Sequence, residues 1–319
     1  MSNCYLPEGS LLDTPGNKLA CSSVAALRIA MEYETILEGR VILCTAEHDL
    51  LIHVGNYTGL MKREDTALGI QEGTTKEIAI LSRVGKPISF TIISINQDGT
   101  QPLLRLSRRR AQELTVQYFM EEISPGTVIP AKITHMENFG AFVDIGCGFV
   151  SMIGIENISV SRISHPSRRF VPGQSIYAVV SGIDPQLKRV YLSHRELLGT
   201  WEENVAQFTP GMTVAGYVRG IKDYGTFIEL TPNLTGLADL TEGLWEDERV
   251  SIFIKAIIPD RMKIKLMVIQ PLESLTVPPP LSYRITSGKL PYWRYSPQSC
   301  VRSKLETVFD PSWDLSNSQ

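Results

Sequence analysis

Apolar residues along this chain fall into short runs rich in Val, Ile, Phe and Tyr, separated by Gly and Pro, and helical period is absent from these runs. Five such runs over about 70 residues are the pattern of a small closed antiparallel barrel. The pattern also repeats. Residues 124–128 (Ser-Pro-Gly-Thr-Val) lead into 138–145 (Asn-Phe-Gly-Ala-Phe-Val-Asp-Ile), and 209–213 (Thr-Pro-Gly-Met-Thr) lead into 223–230 (Asp-Tyr-Gly-Thr-Phe-Ile-Glu-Leu). Phe139 and Tyr224, Gly140 and Gly225, and Phe142 and Phe227 each lie 85 residues apart, with no gap in register. Both copies continue with a Gly-led apolar run (Gly154, Gly236), a β-branched run (176–183, 250–258) and a closing strand (189–193, 262–267). A weaker copy lies upstream, opening at Gly39 and closing over 103–107, and its aromatic positions read His48 and Leu51.

Helical signals are confined to the joints. Residues 23–33 form one amphipathic stretch. Ser107 can cap a helix through Glu122, in which Ala111, Leu114 and Tyr118 recur at helical spacing. Thr200-Trp-Glu-Glu203 is a capping box opening a spacer that Pro210-Gly211 must stop. The expected fold is therefore mainly β: tandem five-stranded closed barrels joined by short helices. The expected boundaries are an N-terminal arm and helix (1–34), a degenerate repeat (35–110), a linker helix (111–125), a repeat (126–198), a second linker helix (199–210), a third repeat (211–270), and a Pro-rich linker with a C-terminal appendage (271–319). In that tail Tyr283, Tyr292, Trp293 and Tyr295 lie in a polar setting.

A chain of 319 residues exceeds what one core supports, in keeping with several domains. No apolar run approaches a membrane span and residues 1–20 do not resemble a signal peptide, so a cytoplasmic protein with no membrane partner is expected. Cys4, Cys21, Cys44, Cys147 and Cys300 are scattered and never paired as Cys-x-x-Cys, which predicts reduced thiols and no zinc site. The five histidines form no metal motif, and no phosphate loop, nucleophile elbow or dinucleotide fingerprint is present. No catalytic residue, metal or cofactor is expected.

Net charge is -3, from 31 Lys+Arg and 34 Asp+Glu, so any nucleic-acid site must be local. Residues 76–110 hold seven basic against two acidic side chains, and 1–75 hold five against ten. Arg108, Arg109 and Arg110 would occupy a helix's first turn, where its dipole disfavours them. Either phosphate or the carboxylates of 1–75 would offset that.

The run Asn138-Phe-Gly-Ala-Phe142 is the most informative in the chain. Side chains three apart on a regular strand point to opposite faces, so Phe139 and Phe142 share a face only if the backbone kinks, which Gly140 allows. Two rings on one outer face would stack unpaired bases of any sequence. Rings on opposite faces would put one in the core.

These residues carry a resemblance. Residues 126–197 and 211–269 resemble the S-one RNA-binding repeat, an OB-fold module of ribosomal proteins and exoribonucleases. The matching pieces are Phe139-Gly-Ala-Phe142, Gly154-Ile-Glu-Asn-Ile-Ser159, Pro172-Gly-Gln174 and Ile183-Asp184 through Arg189-Val-Tyr-Leu-Ser193. The joint 197–204 resembles linkers between repeats of the family's ribosomal members. The resemblance implies an RNA-facing surface at Phe139, Phe142, Asp184 and Arg189, and at Tyr224 and Phe227 in the third repeat. It also places the family's third-strand His at Asn157 and Asp239. Lys132, Arg168 and Arg169 are candidate phosphate contacts. Asp239, with seven basic against eight acidic residues over 211–270, predicts a weaker third repeat. The implied partners are single-stranded mRNA and, through an acidic first domain, the small ribosomal subunit. A free RNA-binding regulator or decay accessory, or a protein scaffold that no longer binds RNA, are the alternatives.

Overall fold

The computed structural model describes residues 5–97, 102–273, 275, 277–300 and 304–313, so Cys4 lies outside it. Two helices open the chain, α1 (Pro15–Ala20) and α2 (Val24–Glu32), the second capped by the Ser23 side chain. Strands β1 (Leu37–Cys44), β2 (Leu50–Val54), β3 (Tyr57–Met61), β4 (Pro87–Asn96) and β5 (Leu103–Ser107) form the first barrel, with the short α3 (Ile78–Leu81) between β3 and β4. Helix α4 (Arg108–Glu121), capped by Ser107, leads to the second barrel: β6 (Val128–Glu137), β7 (Gly140–Asp144), β8 (Val150–Gly154), β9 (Ser175–Asp184) and β10 (Arg189–Ser193). After α5 (Trp201–Val205), whose Thr200–Glu203 capping box is formed, the third barrel comprises β11 (Thr213–Lys222), β12 (Gly225–Thr231), β13 (Leu234–Ala238), β14 (Arg249–Ile258) and β15 (Lys263–Pro271).

All three five-stranded barrels are closed. Closure departs from a wholly antiparallel pattern at one place in each, where the third and fifth strands pair in parallel: Gly59 with Leu104, Met152 with Tyr191, and Leu237 with Lys265. Alternation sets the cores. Along β14 the side chains of Val250, Ile252 and Ile254 are buried while Ser251 and Phe253 are half-exposed, so one face of the strand fills the barrel.

The chain divides into two compact units. One holds Met1–Ile123 with Pro130–Lys132 and Asp144–Val150, and the other holds the rest. In the first unit the arm is fixed by buried carboxylates. Glu38 accepts from the backbone of Gly9, Leu11 and Leu12, at 2.8–3.0 Å. Glu8 accepts two bonds from Arg108, at 2.6 and 3.0 Å, and one from Arg83 at 2.8 Å. Arg109 pairs with Glu72 and Arg110 with Glu34. Acidic residues of the first 75 positions, rather than phosphate, thus answer the three cations at the start of α4.

In the second unit the tail is part of the core. Trp293, on β16 (Tyr292–Arg294), and Tyr295 are 5% exposed and pack with Leu197, Trp201 and Phe309, while β17 (Glu306–Val308) completes a two-stranded sheet. The polar setting expected from sequence fails because these rings meet partners about 100 residues away, which no local pattern displays. Tyr283 reaches His194, which lies at the end of β10 and is fully buried. The ring's Nδ1 is 2.7 Å from the Ile158 carbonyl, so it carries the proton, and Nε2 accepts from the Tyr283 hydroxyl at 2.9 Å.

Burial holds His194 neutral and the Arg169 charge adds to this against the Ile158 bond, taking its pKa down to about 4. An unfolded His titrates near 6.5, so between these values only the unfolded chain takes up the proton. The stability due to neutral His194 is therefore present above about pH 6.5 and lost as pH falls towards 4. The expected loss is roughly 3 kcal/mol. Urea unfolding at pH 7 and pH 4.5 should show a smaller drop for His194→Gln than for the wild-type chain. An equal drop would mean that His194 protonates freely in the folded state.

Candidate nucleic-acid interface

Phe139 sits in the turn between β6 and β7, one residue before the strand begins, so strand alternation does not govern it. The backbone closes tightly here. A Cβ on Gly140 would lie 2.5 Å from the Ile153 carbonyl oxygen, so only glycine fits. Phe139 is 57% exposed, Phe142 is half-buried, and the rings meet edge to face with centroids 6.0 Å apart at 83°. The third barrel repeats this with Tyr224, 70% exposed, and Phe227, at 6.1 Å and 89°. There Gly225 has φ +145° and its Cβ would lie 2.5 Å from the Ala238 carbonyl oxygen. In both barrels the two rings share one outer face.

A third ring joins the second barrel's pair. His135 on β6 stacks flat on Phe142, with centroids 4.2 Å apart and planes 8° apart. The Thr134 hydroxyl donates to the Phe142 carbonyl at 3.0 Å, so towards His135 Nδ1, 3.2 Å away, it can only accept. This assigns the imidazole proton to Nδ1 and leaves Nε2 as an acceptor. Sequence reading set His135 aside as a lone histidine. Its position four residues before Phe139, on the strand that leads into the turn, was the available signal.

Asp184 and Arg189 face each other across β9 and β10. Asp184 Oδ1 accepts from the backbone of Gln186 and Leu187, each at 3.0 Å, fastening the hairpin that presents the exposed Arg189. Exposed Met152 and Tyr191 pair beside them and were not anticipated. Asn157 lies in a 3-10 turn after β8, off the strand. Strand pairing shows why: Met152 with Tyr191 answers Leu237 with Lys265, so the counterpart of Asp239 is Gly154. The inserted turn had shifted the sequence alignment by three residues.

Three of the basic candidates are engaged within the protein. Lys132 donates to the Glu8 carbonyl at 2.9 Å. Arg169 is 3% exposed and its guanidinium pairs with Glu229, so it cannot reach a phosphate. Arg168, about half exposed, pairs with Asp247 at 3.0 Å. Glu229 also holds Arg219, at 2.8 Å, and Asp247 completes the group. Burial works against both buried guanidiniums. It lowers the pKa of Arg169, whereas for Arg219 the hydrogen bonds and charges of Glu229 and Asp247 together outweigh it and raise that one.

These pairings change the third barrel's face. Asp239 is held by Lys255 at 2.9 Å, which lowers its pKa through the hydrogen bond and the charge of that lysine. Lys263 and Lys265 stand nearby, and with Tyr224, Phe227, Leu237 and Met262 they line a cavity of about 530 Å³. Acids counted against this barrel, Glu229 and Asp247, are directed at arginines elsewhere. On the first barrel's corresponding face Arg63 pairs with Glu77, Lys62 with Asp49, and Arg105 with Glu64. Among the described residues no group of three or more His, Cys, Asp or Glu could hold a metal, and no helix is long and apolar enough to cross a membrane.

Three closed five-stranded barrels, two of them presenting an edge-to-face ring pair, define a tandem OB-fold protein. Residues 122–195 match the family described as the S1 RNA binding domain. The chain is 28% identical over 192 residues to the small ribosomal subunit protein bS1 of Leuconostoc lactis, covering 59% of this chain and 44% of that one. The small ribosomal subunit protein bS1 homolog of Bacillus subtilis is 28% identical over 161 residues, covering 50% and 42%. The chain thus spans less than half the length of these curated relatives. A solved multidomain protein with nucleic acid binding domains from Streptococcus pneumoniae aligns over 74% of this chain and 73% of its own at 12% identity, with a TM-score of 0.25.

Removing Glu229 strands two buried guanidiniums, and breaking a buried ion pair in this way costs about 3–5 kcal/mol. Glu229→Ala should lower urea-unfolding stability by that order, whereas Arg189→Ala, at the surface, should stay within about 0.5 kcal/mol of wild type. Equal stability of the two variants would contradict the assignment of Glu229 to the junction.

Proposed function

We propose that this chain is a non-catalytic, sequence-tolerant binder of single-stranded RNA, mRNA above all, that works in translation at the small ribosomal subunit in the cytoplasm. The observation that carries the reading is the ring pair, repeated at 6.0 and 6.1 Å in two barrels. Every base has a π face, so exposed rings hold bases without selecting sequence. Arg189 on the second barrel and Lys255, Lys263 and Lys265 on the third supply charge for phosphates, which position a strand without reading it. The matched S1 RNA binding domain and the ribosomal relatives support the same reading. Ion pairing on its corresponding face leaves the first barrel little to offer RNA, and its acidic surface suits a basic component of the small subunit.

Because Asp239 is neutralised by Lys255, the third barrel binds at least as well as the second in this reading. The handicap expected from its charge count does not apply. Phe139→Ala and Tyr224→Ala should each weaken binding of an unstructured oligoribonucleotide roughly 5- to 150-fold in fluorescence anisotropy, since stacking contributes about 1–3 kcal/mol per base. Both rings are exposed, so melting temperatures should hardly move. A variant that melts early without losing affinity would mark a packing role instead.

Affinity should also fall with salt through counterion release. About four to six phosphate contacts on a single strand give a log-log slope of roughly -3 to -4. Salt-independent binding would remove the phosphate assignments. Cosedimentation with small subunits at modest salt tests the ribosomal part, and a wholly free pool would leave an RNA binder outside the ribosome.

A further inference from the structure

Two junctions in this chain are built alike. In each, the connection between one barrel's third and fourth strands is tied to the turn between the second and third strands of the barrel that follows. Residues 159–173 are tied through Ser161, whose backbone donates to the Pro232 carbonyl at 3.0 Å, and through Arg169 on Glu229. Residues 62–86 are tied through Gln112 of α4, which accepts from the Leu68 backbone at 2.9 Å and donates to the Gly148 carbonyl at 3.2 Å. Arg83 of the same connection pairs with Glu8, whose backbone N–H donates to Asp144, the residue 85 positions before Glu229. At both junctions an arginine of the connection is answered by a carboxylate.

The same two surfaces occur once more, unjoined and with their charges reversed. In the third barrel the connection 239–248 is anchored by buried Leu244 and presents Leu240, 55% exposed, and Trp245, 74% exposed, beside exposed Glu242 and Glu246. In the first barrel the turn is Gly55-Asn56, and the place of Glu229 falls to exposed His53. Strand pairing shows this: Ile52 with Gly59 and His53 with Thr58 answer Ile228 with Gly236 and Glu229 with Thr235. His53 and Gly55 line a cavity of about 630 Å³ together with Leu12, Ile42, Lys18 and Arg40. Two acids also line it and are already engaged, Asp13 by Lys18 at 3.2 Å and Glu38 by the backbone of Gly9, Leu11 and Leu12. Arg40 donates to the neutral Gly85 carbonyl at 2.8 Å, and among the described residues it pairs with no carboxylate.

We infer that these two surfaces join between molecules: the loop 240–246 of one copy, led by Trp245, docks in the cavity beside His53 of a second copy of this chain. An exposed tryptophan suits a concave site with apolar walls, and Glu242 and Glu246 suit its guanidinium. The contact is heterologous, so it passes from copy to copy unless a ring closes. Reversed charge keeps the two kinds of junction apart, because Glu242 and Glu246 would be repelled by Glu229, and Arg169 by Arg40.

The readout is self-association of the full-length chain in the absence of RNA. In sedimentation velocity over about a hundredfold range of protein concentration, the average size should rise with concentration, and more steeply at low salt than at high. Trp245→Ala should weaken association roughly 30-fold, the size of an interfacial hot-spot loss, and leave the melting temperature unchanged because the ring is exposed. Charge reversal gives the specific test. A chain with Glu242→Lys and Glu246→Lys, and another with Lys18→Glu and Arg40→Glu, should each sediment as monomers, since like charges then meet. An equimolar mixture of the two should associate again, a recovery that misfolded chains would not show. A wild-type chain that remains monomeric at every concentration overturns the inference, as does association that none of these variants weakens. If the two charge variants each lose association and their mixture stays monomeric, these surfaces are not each other's partners and the inference falls.

Discussion

The junction between the second and third barrels is organised around one buried carboxylate. Glu229, on β12, receives Arg219 from its own barrel and Arg169 from the preceding one, and all three side chains are 5% exposed or less. Two guanidiniums against one carboxylate would leave an uncompensated buried charge, which is costly. Asp247 answers it by taking Arg219 and the more exposed Arg168. Neutral bonds align the same surfaces: the Asn233 side chain accepts from the Val160 backbone and donates to the carbonyls of Arg195 and Gly199. Residues 159–173 therefore serve as the second barrel's reach onto the third. The third barrel's corresponding connection is shorter and carries Asp247, the recipient side of the same contact.

That arrangement decides how charge is distributed over the binding faces. A count over 211–270 treats every carboxylate as exposed and equivalent, and it predicts a weaker third repeat. Glu229 and Asp247 are spent on arginines at the junction, and Asp239 is matched by Lys255. What faces the rings is then a cluster of lysines. The second barrel changes in the opposite sense, because Lys132, Arg168 and Arg169 are engaged in internal contacts while Arg189 stays exposed. Local electrostatics follow from pairing, which a net charge does not record.

The same distinction explains what the sequence made legible. Strands, caps and the three-fold repetition follow from short-range periodicity and turn chemistry, so the barrels and the Ser107 and Thr200 caps were readable. The ring pair was readable as a candidate because Phe139-Gly-Ala-Phe142 and its copy carry their own geometry. Arg169 was not, since its partner lies 60 residues ahead and a buried arginine looks like an exposed one in a string of letters. Asn157 was misplaced because a 3-10 turn follows β8 and only the parallel β8–β10 pairing fixes the true register. Trp293 and Tyr295 were assigned a polar setting because the groups that bury them belong to another part of the chain.

The turn glycines show why two barrels with different rings reach the same geometry. At Gly140 and Gly225 the backbone comes so near the neighbouring strand that a Cβ would fall 2.5 Å from a carbonyl oxygen. That approach places the residue before each glycine outside the strand, on the face that the residue two further along already occupies. Phe139 and Tyr224 consequently meet their partners within 0.1 Å and about 6° of one another's arrangement, although one carries a hydroxyl and the other does not. The platform is a property of backbone proximity and tolerates a change of ring. Differences between the two faces then lie in the residues around the platform. Around it the two barrels carry His135 against Gly220, Gly154 against Asp239, and Arg189 against Lys263.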